Sequence, residues 1–397
     1  MNDVFPGIDS LKNRELFSAP PETGPGFWRE ALAFAVDRTR RNIPRFKNQY
    51  PAPASVNNVY PLIDNTEWTT SFWPGLLWLA WESTGQELFR NAAEDRIVDF
   101  RTRLDKRIAV ETHDLGFLYT LACIAPWRLT GNRAARDAAL KAADLLLARY
   151  YEKAGVIQAW GNLNDPAQRG RIIIDCAMNL PLLYWATGET GNPHYREAAE
   201  RHIGVANQYL IRENWSTYHT YYFDTETGTP LRGSTAQGYA DDSCWSRGQA
   251  WGIYGNVLSF RYLRNPELLE KACLLARYFL NRLPGDLVAY WDLVFTEGPE
   301  ERDSSAGAIA ACGLLELSRA LPVSDPERRP FENAALHIMA SLAHSYTTAG
   351  KPAADGILLH GVYGKPQGNG VDECTAFGDY FYMEALVRIC RPWKPYW

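Results

Sequence analysis

The stretch "LPLLYWATGETGNPHYREAAERHI", residues 180–203, predicts two helices joined by a short turn. Its first half is apolar and aromatic and ends in Thr190-Gly191, where glycine can take the left-handed conformation that commonly closes a helix. Its second half carries paired alanines and charged residues in the spacing of an amphipathic helix. The stretch therefore indicates a hairpin of one apolar and one amphipathic helix.

The same plan recurs along the chain as a loose repeat. Four further copies share an apolar half, a break at Thr-Gly or Asn-Pro in most of them, and an amphipathic half; they cover residues 76–97, 120–146, 248–280 and 304–346. A sixth pair combines the last apolar helix, residues 377–390, with an amphipathic helix near the N-terminus, residues 26–43. Six apolar helices ringed by six amphipathic ones predict an all-α fold, a closed (α/α)6 barrel.

The repeat also predicts where a functional site lies. We expect a single barrel domain over residues 26–397, preceded by an N-terminal extension, residues 1–25. Polar residues recur at the predicted starts of the apolar helices, near Asn65, His113, Asp175, Ser246, Ser304 and Asp379. Because helix directions alternate in a closed toroid, these starts gather at one end and form the rim of one pocket, where helix N-termini also favour anions.

Composition narrows the classes of protein. Hydrophobic residues at 46% and charged residues at 22% are typical of a globular protein with a large core. The net charge of −5 and the lack of a basic run argue against nucleic acid or an anionic membrane as partner. No apolar run reaches the ~20 residues of a membrane span, and no signal peptide is visible. The seven scattered cysteines, without a CxxC pair, predict reduced thiols in the cytoplasm. The oligomeric state stays open.

Two carboxyl groups stand at equivalent positions of adjacent hairpins, Asp114 in "ETHDLGFLY" and Asp175 in "RIIIDCAMNL". Each is either a helix cap or a functional acid. Two nearby acids in an aromatic-walled site cannot both ionise cheaply, so one pKa should rise. That splits the pair into a proton donor and a charged partner, the usual pattern of glycoside chemistry. Asp175, behind three isoleucines, is the candidate for the raised pKa.

Other polar residues allow two interpretations each. The 14 Trp, 21 Tyr and 16 Phe either fill the core or stack on sugars. Arg247, between Trp245 and Trp251, is either a packed cation or a planar fork that binds a substrate carboxylate. His219 is either a core histidine or a pocket residue. Neither His113 nor His219 has metal-type spacing to a further ligand, so we predict no metal and no cofactor.

Several motifs together resemble one family. "HDLGFLYTL", "GRIIIDCAMNLPLL", "WSRGQAWGIYG" and "RDSSAGAIAACGLLE" resemble the unsaturated glucuronyl hydrolases, glycoside hydrolase family 88, in register from about Trp28 to Trp397. The resemblance implies an (α/α)6 barrel and a substrate that polysaccharide lyases leave, an oligosaccharide with a 4,5-unsaturated uronic acid at its non-reducing end. It implies that protonation and hydration of the C4=C5 enol ether gives a hemiketal, which opens and releases the remaining sugar.

The resemblance also assigns residues. It implies Asp175 as general acid/base and Asp114 as its partner. It implies substrate contacts from Gly233, Thr235, Arg247 and Trp251, and further pocket positions at Trp68, His113, Trp160, His219, Gln237 and Trp245. The chain departs from the family pattern at Ala236, where some relatives have histidine. It also departs at Gly364, Gln367 and Asn369, where sulfate-tolerant relatives carry two serines and a lysine. These departures argue against a sulfated substrate, although Lys365 could partly substitute.

Three alternatives remain. An unsaturated rhamnogalacturonyl hydrolase shares the fold and chemistry and acts on pectin fragments, although the long motifs around Asp175 and Arg247 favour the glucuronyl branch. A sugar epimerase or isomerase on the same toroid would use histidines as proton shuttles. A glycan-binding toroid without activity would not need Asp175 protonated. The sequence does not identify the second sugar, its linkage or its sulfation.

Overall fold

The computed structural model describes residues 10–397, so the first nine residues of the predicted extension lie outside it. The described residues form fifteen α-helices, in chain order α1 (Pro25–Asn42), α2 (Phe72–Thr84), α3 (Glu87–Glu94), α4 (Ile97–Asp105), α5 (Leu115–Tyr119), α6 (Ala125–Thr130), α7 (Arg133–Leu147), α8 (Cys176–Asn179), α9 (Pro181–Thr190), α10 (Pro193–Tyr209), α11 (Ser246–Leu263), α12 (Pro266–Leu280), α13 (Ser304–Ala320), α14 (Arg328–Ser345) and α15 (Ala376–Cys390). A π-helical stretch, Thr120–Ile124, joins α5 to α6.

Nine short strands connect the helices as small antiparallel sheets. They are β1 (Tyr50–Pro51), β2 (Leu62–Ile63), β3 (Tyr150–Tyr151), β4 (Val156–Ile157), β5 (Arg171–Ile173), β6 (Thr220–Phe223), β7 (Pro230–Ser234), β8 (Gly361–Gly364) and β9 (Asn369–Glu373). Strands β5, β6 and β7 form a three-stranded sheet, and the others pair as β1-β2, β3-β4 and β8-β9. The sheets stay between the hairpins, so the fold remains helical.

The apolar helices form an inner ring and the amphipathic helices an outer one. Helix α13 is buried along its whole length up to Ser318, and it packs against α11, α14 and α15. Helix α15 in turn packs against α2 and α1, which closes the ring. The all-α (α/α)6 barrel predicted from the repeat is confirmed. None of the described helices is both long and apolar enough to cross a membrane.

Most inner helices begin close to the predicted positions, and one does not. They begin at Leu115, Cys176, Ser246, Ser304 and Ala376. The predicted first start near Asn65 was wrong, because α2 begins only at Phe72. The preceding turn is held open by the buried Arg103, whose Nη1 donates to Asn65 Oδ1 at 2.9 Å and to the Glu67 carbonyl at 2.8 Å.

The described part of the extension lies against the barrel. Phe17 is fully buried, and its carbonyl accepts a hydrogen bond from Asn333 Nδ2 of α14 at 2.9 Å. The backbone N–H of Lys12 donates to Asn281 Oδ1 at 2.8 Å. Helix α1 begins at Pro25, one residue before the predicted start of the domain. The domain boundary itself stays a prediction.

The glycine that closes the quoted hairpin takes the predicted conformation. Gly191 follows α9 with φ +74°, and its N–H donates to the Thr187 carbonyl. Gly85 and Gly131 close α2 and α6 in the same way. An L-residue in this region brings Cβ too close to the following carbonyl oxygen, which costs about 1–2 kcal/mol.

We therefore predict that Gly191→Ala lowers the free energy of unfolding by about 1–2 kcal/mol through backbone strain alone. An added Cβ at Gly191 meets nothing within 4 Å. Gly188 is the matched control, because it lies inside α9 and its added Cβ also meets nothing within 4 Å. Gly188→Ala should raise the free energy of unfolding by roughly 0.5–1 kcal/mol, since glycine weakens a helix interior. Urea denaturation measures both; equal effects would contradict the prediction.

Candidate active site

The predicted rim forms an open cavity of about 420 Å³ at one end of the barrel. Nine of the twelve residues predicted from the sequence line it, namely Trp68, Asp114, Trp160, Asp175, His219, Gln237, Trp245, Arg247 and Trp251. The structure adds Ile173 and Tyr363, which the sequence did not single out, together with Ala236, Gly364, Gln367 and Asn369. The segments that lead into α2, α5, α8 and α11 thus meet at one pocket as predicted, whereas Ser304 of α13 and Asp379 of α15 do not line it.

Three predicted residues do not line this cavity. His113 lies behind the two carboxyl groups and contacts both. Gly233 on β7 packs against the ring of Tyr218, where an added Cβ would lie 2.5 Å from the ring. The N–H of Thr235 donates to Asp241 Oδ1 at 2.7 Å, which holds that loop at the surface. Substrate contacts from Gly233 and Thr235 stay predictions.

Asp175 is positioned by β5 and the first turn of α8. Ile174 N–H donates to the His219 carbonyl at 3.1 Å, and this extends the pairing of β5 with β6 up to the carboxyl group. Ile172 and Ile174 are buried beneath it. Asp175 occupies the N-cap position of α8, but its side chain accepts no cap hydrogen bond from the described residues. The helix-cap interpretation therefore does not account for this side chain.

Asp114 has a comparable position at the start of α5. Its Oδ2 accepts a hydrogen bond from Thr112 Oγ1 at 2.7 Å, while the first turn of α5 receives no cap bond from it within the described chain. The Phe117 N–H of that turn is instead taken by Asn179 Oδ1 at 2.7 Å. Asn179 lies in α8, so the two helix starts that carry the carboxyl groups are tied together.

A neutral imidazole lies between the two acids. His113 Nε2 is 3.4 Å from Asp114 Oδ1 and 3.3 Å from Asp175 Oδ1. Burial lowers the pKa of His113 to about 3, so this ring supplies no positive charge at neutral pH. The acids are therefore adjacent to each other without a cation between them.

The pKa values of the two acids differ in the order expected from the sequence. Burial raises the pKa of Asp175 well above its ordinary value, and the charge of Asp114 raises it further, against the opposing charge of Arg247. Burial raises the pKa of Asp114 to about 6, against hydrogen bonds from Thr112 and Asn179. At neutral pH Asp175 thus keeps its proton while most Asp114 is ionised.

Arg247 combines both interpretations that the sequence left open. Its guanidinium lies over the rings of Trp245 at 4.4 Å and Phe377 at 4.7 Å. Its Nη1 donates to Asp303 Oδ2 at 3.2 Å and to the Val362 carbonyl, and its Nη2 donates to the Tyr363 carbonyl at 2.7 Å. The two prongs of the fork are therefore engaged by the protein, which leaves the positive charge in the cavity wall.

The remaining walls are aromatic or amide groups. Trp68 stacks on Phe377 at 5.5 Å and donates from Nε1 to Tyr363 Oη at 3.1 Å. His219 Nε2 lies 3.3 Å from Gln237 Oε1, and Gln237 Nε2 donates to the Tyr363 carbonyl at 3.2 Å. Burial lowers the pKa of His219 to about 4. These contacts make His219 a neutral wall residue of the cavity.

The end of β8, the turn after it and the start of β9 carry three of the residues that depart from the family pattern. Gly364, Gln367 and Asn369 line the cavity, and Gln367 Nε2 crosses to the Ala236 carbonyl at 2.7 Å. Lys365 Nζ instead pairs with Glu301. Lys365 therefore does not replace the missing lysine inside the cavity, contrary to the alternative left open by the sequence.

One group of side chains in the described chain could hold a metal ion. Donor atoms of His113, Asp114 and Asp175 lie within 4.8 Å of one another, and imidazole and carboxylate are ligands that Zn²⁺ accepts. The spacing argument missed this cluster, because Asp175 comes from the next hairpin. A ligand must be deprotonated, however, and the raised pKa of Asp175 opposes that.

We accordingly predict that catalysis needs no metal ion. Dialysis against EDTA should leave kcat and KM unchanged, and added Mg²⁺, Mn²⁺ or Zn²⁺ should not increase kcat. Turnover of the substrate defined below measures this. A loss of activity in EDTA that one of these ions restores would contradict the prediction.

Residues 43–389 match the family model described as Glycosyl Hydrolase Family 88. The chain therefore belongs to glycoside hydrolase family 88 and is a glycoside hydrolase. It is 46% identical to an unsaturated chondroitin disaccharide hydrolase of Streptococcus pyogenes serotype M1, with 98% of each chain covered. The crystal structure of an unsaturated glucuronyl hydrolase from Streptococcus agalactiae superposes with a TM-score of 0.95, at 43% identity and 98% coverage of both chains. A mutant of that enzyme complexed with dGlcA-GalNAc6S gives a TM-score of 0.88, at 41% identity and the same coverage.

Proposed function

We propose that this hydrolase removes a 4,5-unsaturated uronic acid from the non-reducing end of short oligosaccharides left by polysaccharide lyases. The observation that carries the proposal is the pair of carboxyl groups, the partly buried Asp114 and the buried Asp175, whose pKa values are raised to different extents in one cavity. The relative from Streptococcus agalactiae, complexed with dGlcA-GalNAc6S, supports the class of substrate.

The chemistry follows from the two protonation states. Asp175 delivers its proton to C4 of the C4=C5 double bond, and the π electrons form the new C4–H bond. Positive charge then develops over C5 and O5, where the carboxylate of Asp114 stabilises it. Water adds to C5 as Asp175, now a carboxylate, takes one of its protons. The C5–O5 bond of the hemiketal then breaks, which gives a ketone at C5 and a hydroxyl group on C1. This hemiacetal collapses to an aldehyde as the C1–O bond to the second sugar breaks, and the hydroxyl proton passes to the departing sugar.

The walls of the cavity suggest how the substrate is held. The tryptophans Trp68, Trp160, Trp245 and Trp251 offer faces for stacking on sugar rings. The charge of Arg247 attracts the uronate, and Gln237 offers an amide for a hydroxyl group. Gly364, Gln367 and Asn369 present no cation to the second sugar. We propose that an unsulfated second sugar is preferred over a sulfated one.

The neutral histidines argue against an epimerase or isomerase on this toroid. Burial holds the pKa of His113 at about 3 and that of His219 at about 4, so neither is an effective proton shuttle near neutral pH. A cytoplasmic location is also proposed, supported by the seven cysteines, all free and six of them buried within residues 10–397. The proposed catalytic domain spans residues 26–397.

A panel of disaccharides tests the function. We expect turnover of unsaturated glucuronyl disaccharides, followed as loss of the ultraviolet absorbance of the double bond, and none of saturated equivalents. Asp175→Asn should lower kcat by at least ~10²–10⁴-fold, since an amide cannot protonate carbon. Stability should change little, because Asn is nearly isosteric with Asp and is uncharged like protonated Asp175. Release of sugar from a saturated glucuronide, or normal turnover by folded Asp175→Asn, would contradict the mechanism.

The panel includes disaccharides with an unsulfated and with a sulfated second sugar, and we expect faster turnover of the unsulfated ones. An unsaturated galacturonyl-rhamnose disaccharide covers the rhamnogalacturonyl alternative. Faster turnover of that disaccharide than of any glucuronyl substrate would overturn the proposed specificity while leaving the chemistry in place.

The pH dependence of kcat is expected to be bell-shaped. The rate should rise with pH through about 6, because Asp114 must ionise. It should fall at higher pH through the raised pKa of Asp175, because a carboxylate has no proton to deliver. In Asp114→Asn the acidic limb should disappear from whatever activity remains. An acidic limb that persists in this variant would assign it to another group.

A further inference from the structure

The motif "RDSSAGAIAACG" carries a further buried carboxyl group, Asp303, which contacts the cavity-lining Arg247. Asp303 is fully buried at the N-cap of α13, where its Oδ1 accepts a hydrogen bond from Ser305 N–H at 3.1 Å. Its Oδ2 lies 3.2 Å from Nη1 of Arg247, which is itself 1% exposed. Small residues in the motif explain close helix packing, but they do not explain this ion pair.

We propose that Asp303 is a positioning residue for the reaction: it holds the Arg247 guanidinium on the cavity wall, against Val362 and Tyr363, and away from Asp175 and Asp114. The proposal rests on the function proposed above. In that function Asp175 must arrive at the reaction protonated, so a mobile cation beside it would be harmful.

The contacts of Arg247 define where its charge is kept. Its two terminal nitrogens are bonded to Asp303 and to the carbonyls of Val362 and Tyr363. The Val362 N–H lies 3.4 Å from Asp303 Oδ1, so the same carboxylate also contacts the strand that Arg247 binds. Asp303, Arg247 and β8 therefore form one unit, and Tyr363 of that unit lines the cavity.

The charges around Asp175 make the position of Arg247 matter. His113 contacts Asp175, and the charges of Asp114 and Arg247 act on it. His219 lines the same cavity, and the charges of Arg103 and Arg149 act on Asp114. Of these cations, only Arg247 acts appreciably on Asp175, and it favours the ionised form. After Asp303, the next carboxyl group whose charge acts on Arg247 is that of Asp175.

Removing the charge of Asp303 should therefore change the pH dependence of kcat. In Asp303→Asn, Arg247 becomes a buried cation without a counterion, which is costly in a low dielectric. Among the remaining carboxyl groups, that of Asp175 acts most strongly on Arg247. We expect the alkaline limb of kcat to move to lower pH, so that kcat at a fixed pH on that limb falls about tenfold per unit of movement and recovers on acidification. The amide oxygen of Asn can still cap α13.

Glu316→Gln is the matched control, because Glu316 is the buried carboxylate at the other end of α13. Its Oε2 lies 2.6 Å from Arg388 Nη1 and its Oε1 lies 3.2 Å from Arg261 Nε. This variant should lose stability and keep the pH profile of the wild type. If Asp303→Asn loses activity equally at every pH, or leaves the alkaline limb in place, Asp303 is only structural and the proposal is wrong.

A second pair of variants tests the proposal if Asp303→Asn fails to fold. Arg247→Gln removes the cation, and Asp303→Asn combined with Arg247→Gln removes both charges and leaves no unpaired ion. The two variants should share one alkaline limb, since Asp303 acts through Arg247. A further shift in the double variant would overturn the proposal. A wild type that turns over no unsaturated disaccharide would instead overturn the proposed function.

Discussion

The site depends on two neighbouring carboxyl groups, one buried and one partly buried, without a cation between them. Burying a carboxylate costs free energy unless it is paired or protonated, and two neighbouring carboxylates cannot both ionise cheaply. The protein places a neutral imidazole between them, and it engages the nearest guanidinium, that of Arg247, elsewhere. One acid therefore keeps its proton at neutral pH while the other is mostly ionised, which is the state that protonation of an enol ether requires.

The barrel supplies this arrangement through its closed ring of hairpins. Asp114 and Asp175 stand at the starts of α5 and α8, and Asn179 ties the two starts together. The apolar helices that carry them are too deeply packed to move apart when the acids repel each other, since interiors at native packing density resist deformation. The repulsion is instead relieved by a raised pKa.

The sequence could predict those features of the fold and the site that depend on a repeated pattern or on residues close together in the chain. Helix periodicity, Thr-Gly ends and the isoleucines before Asp175 are local signals, and they predicted the six hairpins, the common rim and the acid with the higher pKa. The delayed start of α2 goes with the bonds of Arg103 to Asn65 and Glu67, which lie more than thirty residues away in the chain. The engagement of Arg247 by Asp303, Val362 and Tyr363 likewise joins three distant segments. No local pattern carries such pairings, so neither the protein contacts of the Arg247 fork nor the place of Tyr363 in the cavity wall could be predicted from the sequence.

Each end of the barrel has a cluster of buried acids, and the two clusters differ in whether an arginine neutralises the charge of the acid. At the far end, Arg388 bonds Glu316 at 2.6 Å and Glu384 at 3.0 Å, and Trp397 Nε1 donates to Glu384 at 2.8 Å. Arginine charges there hold the pKa of Glu316 below its usual value, so that carboxylate stays ionised and inert. At the rim, the cation that could do the same for Asp175 is bound by Asp303. Equally buried acids thus differ in function because of where the neighbouring arginine is held.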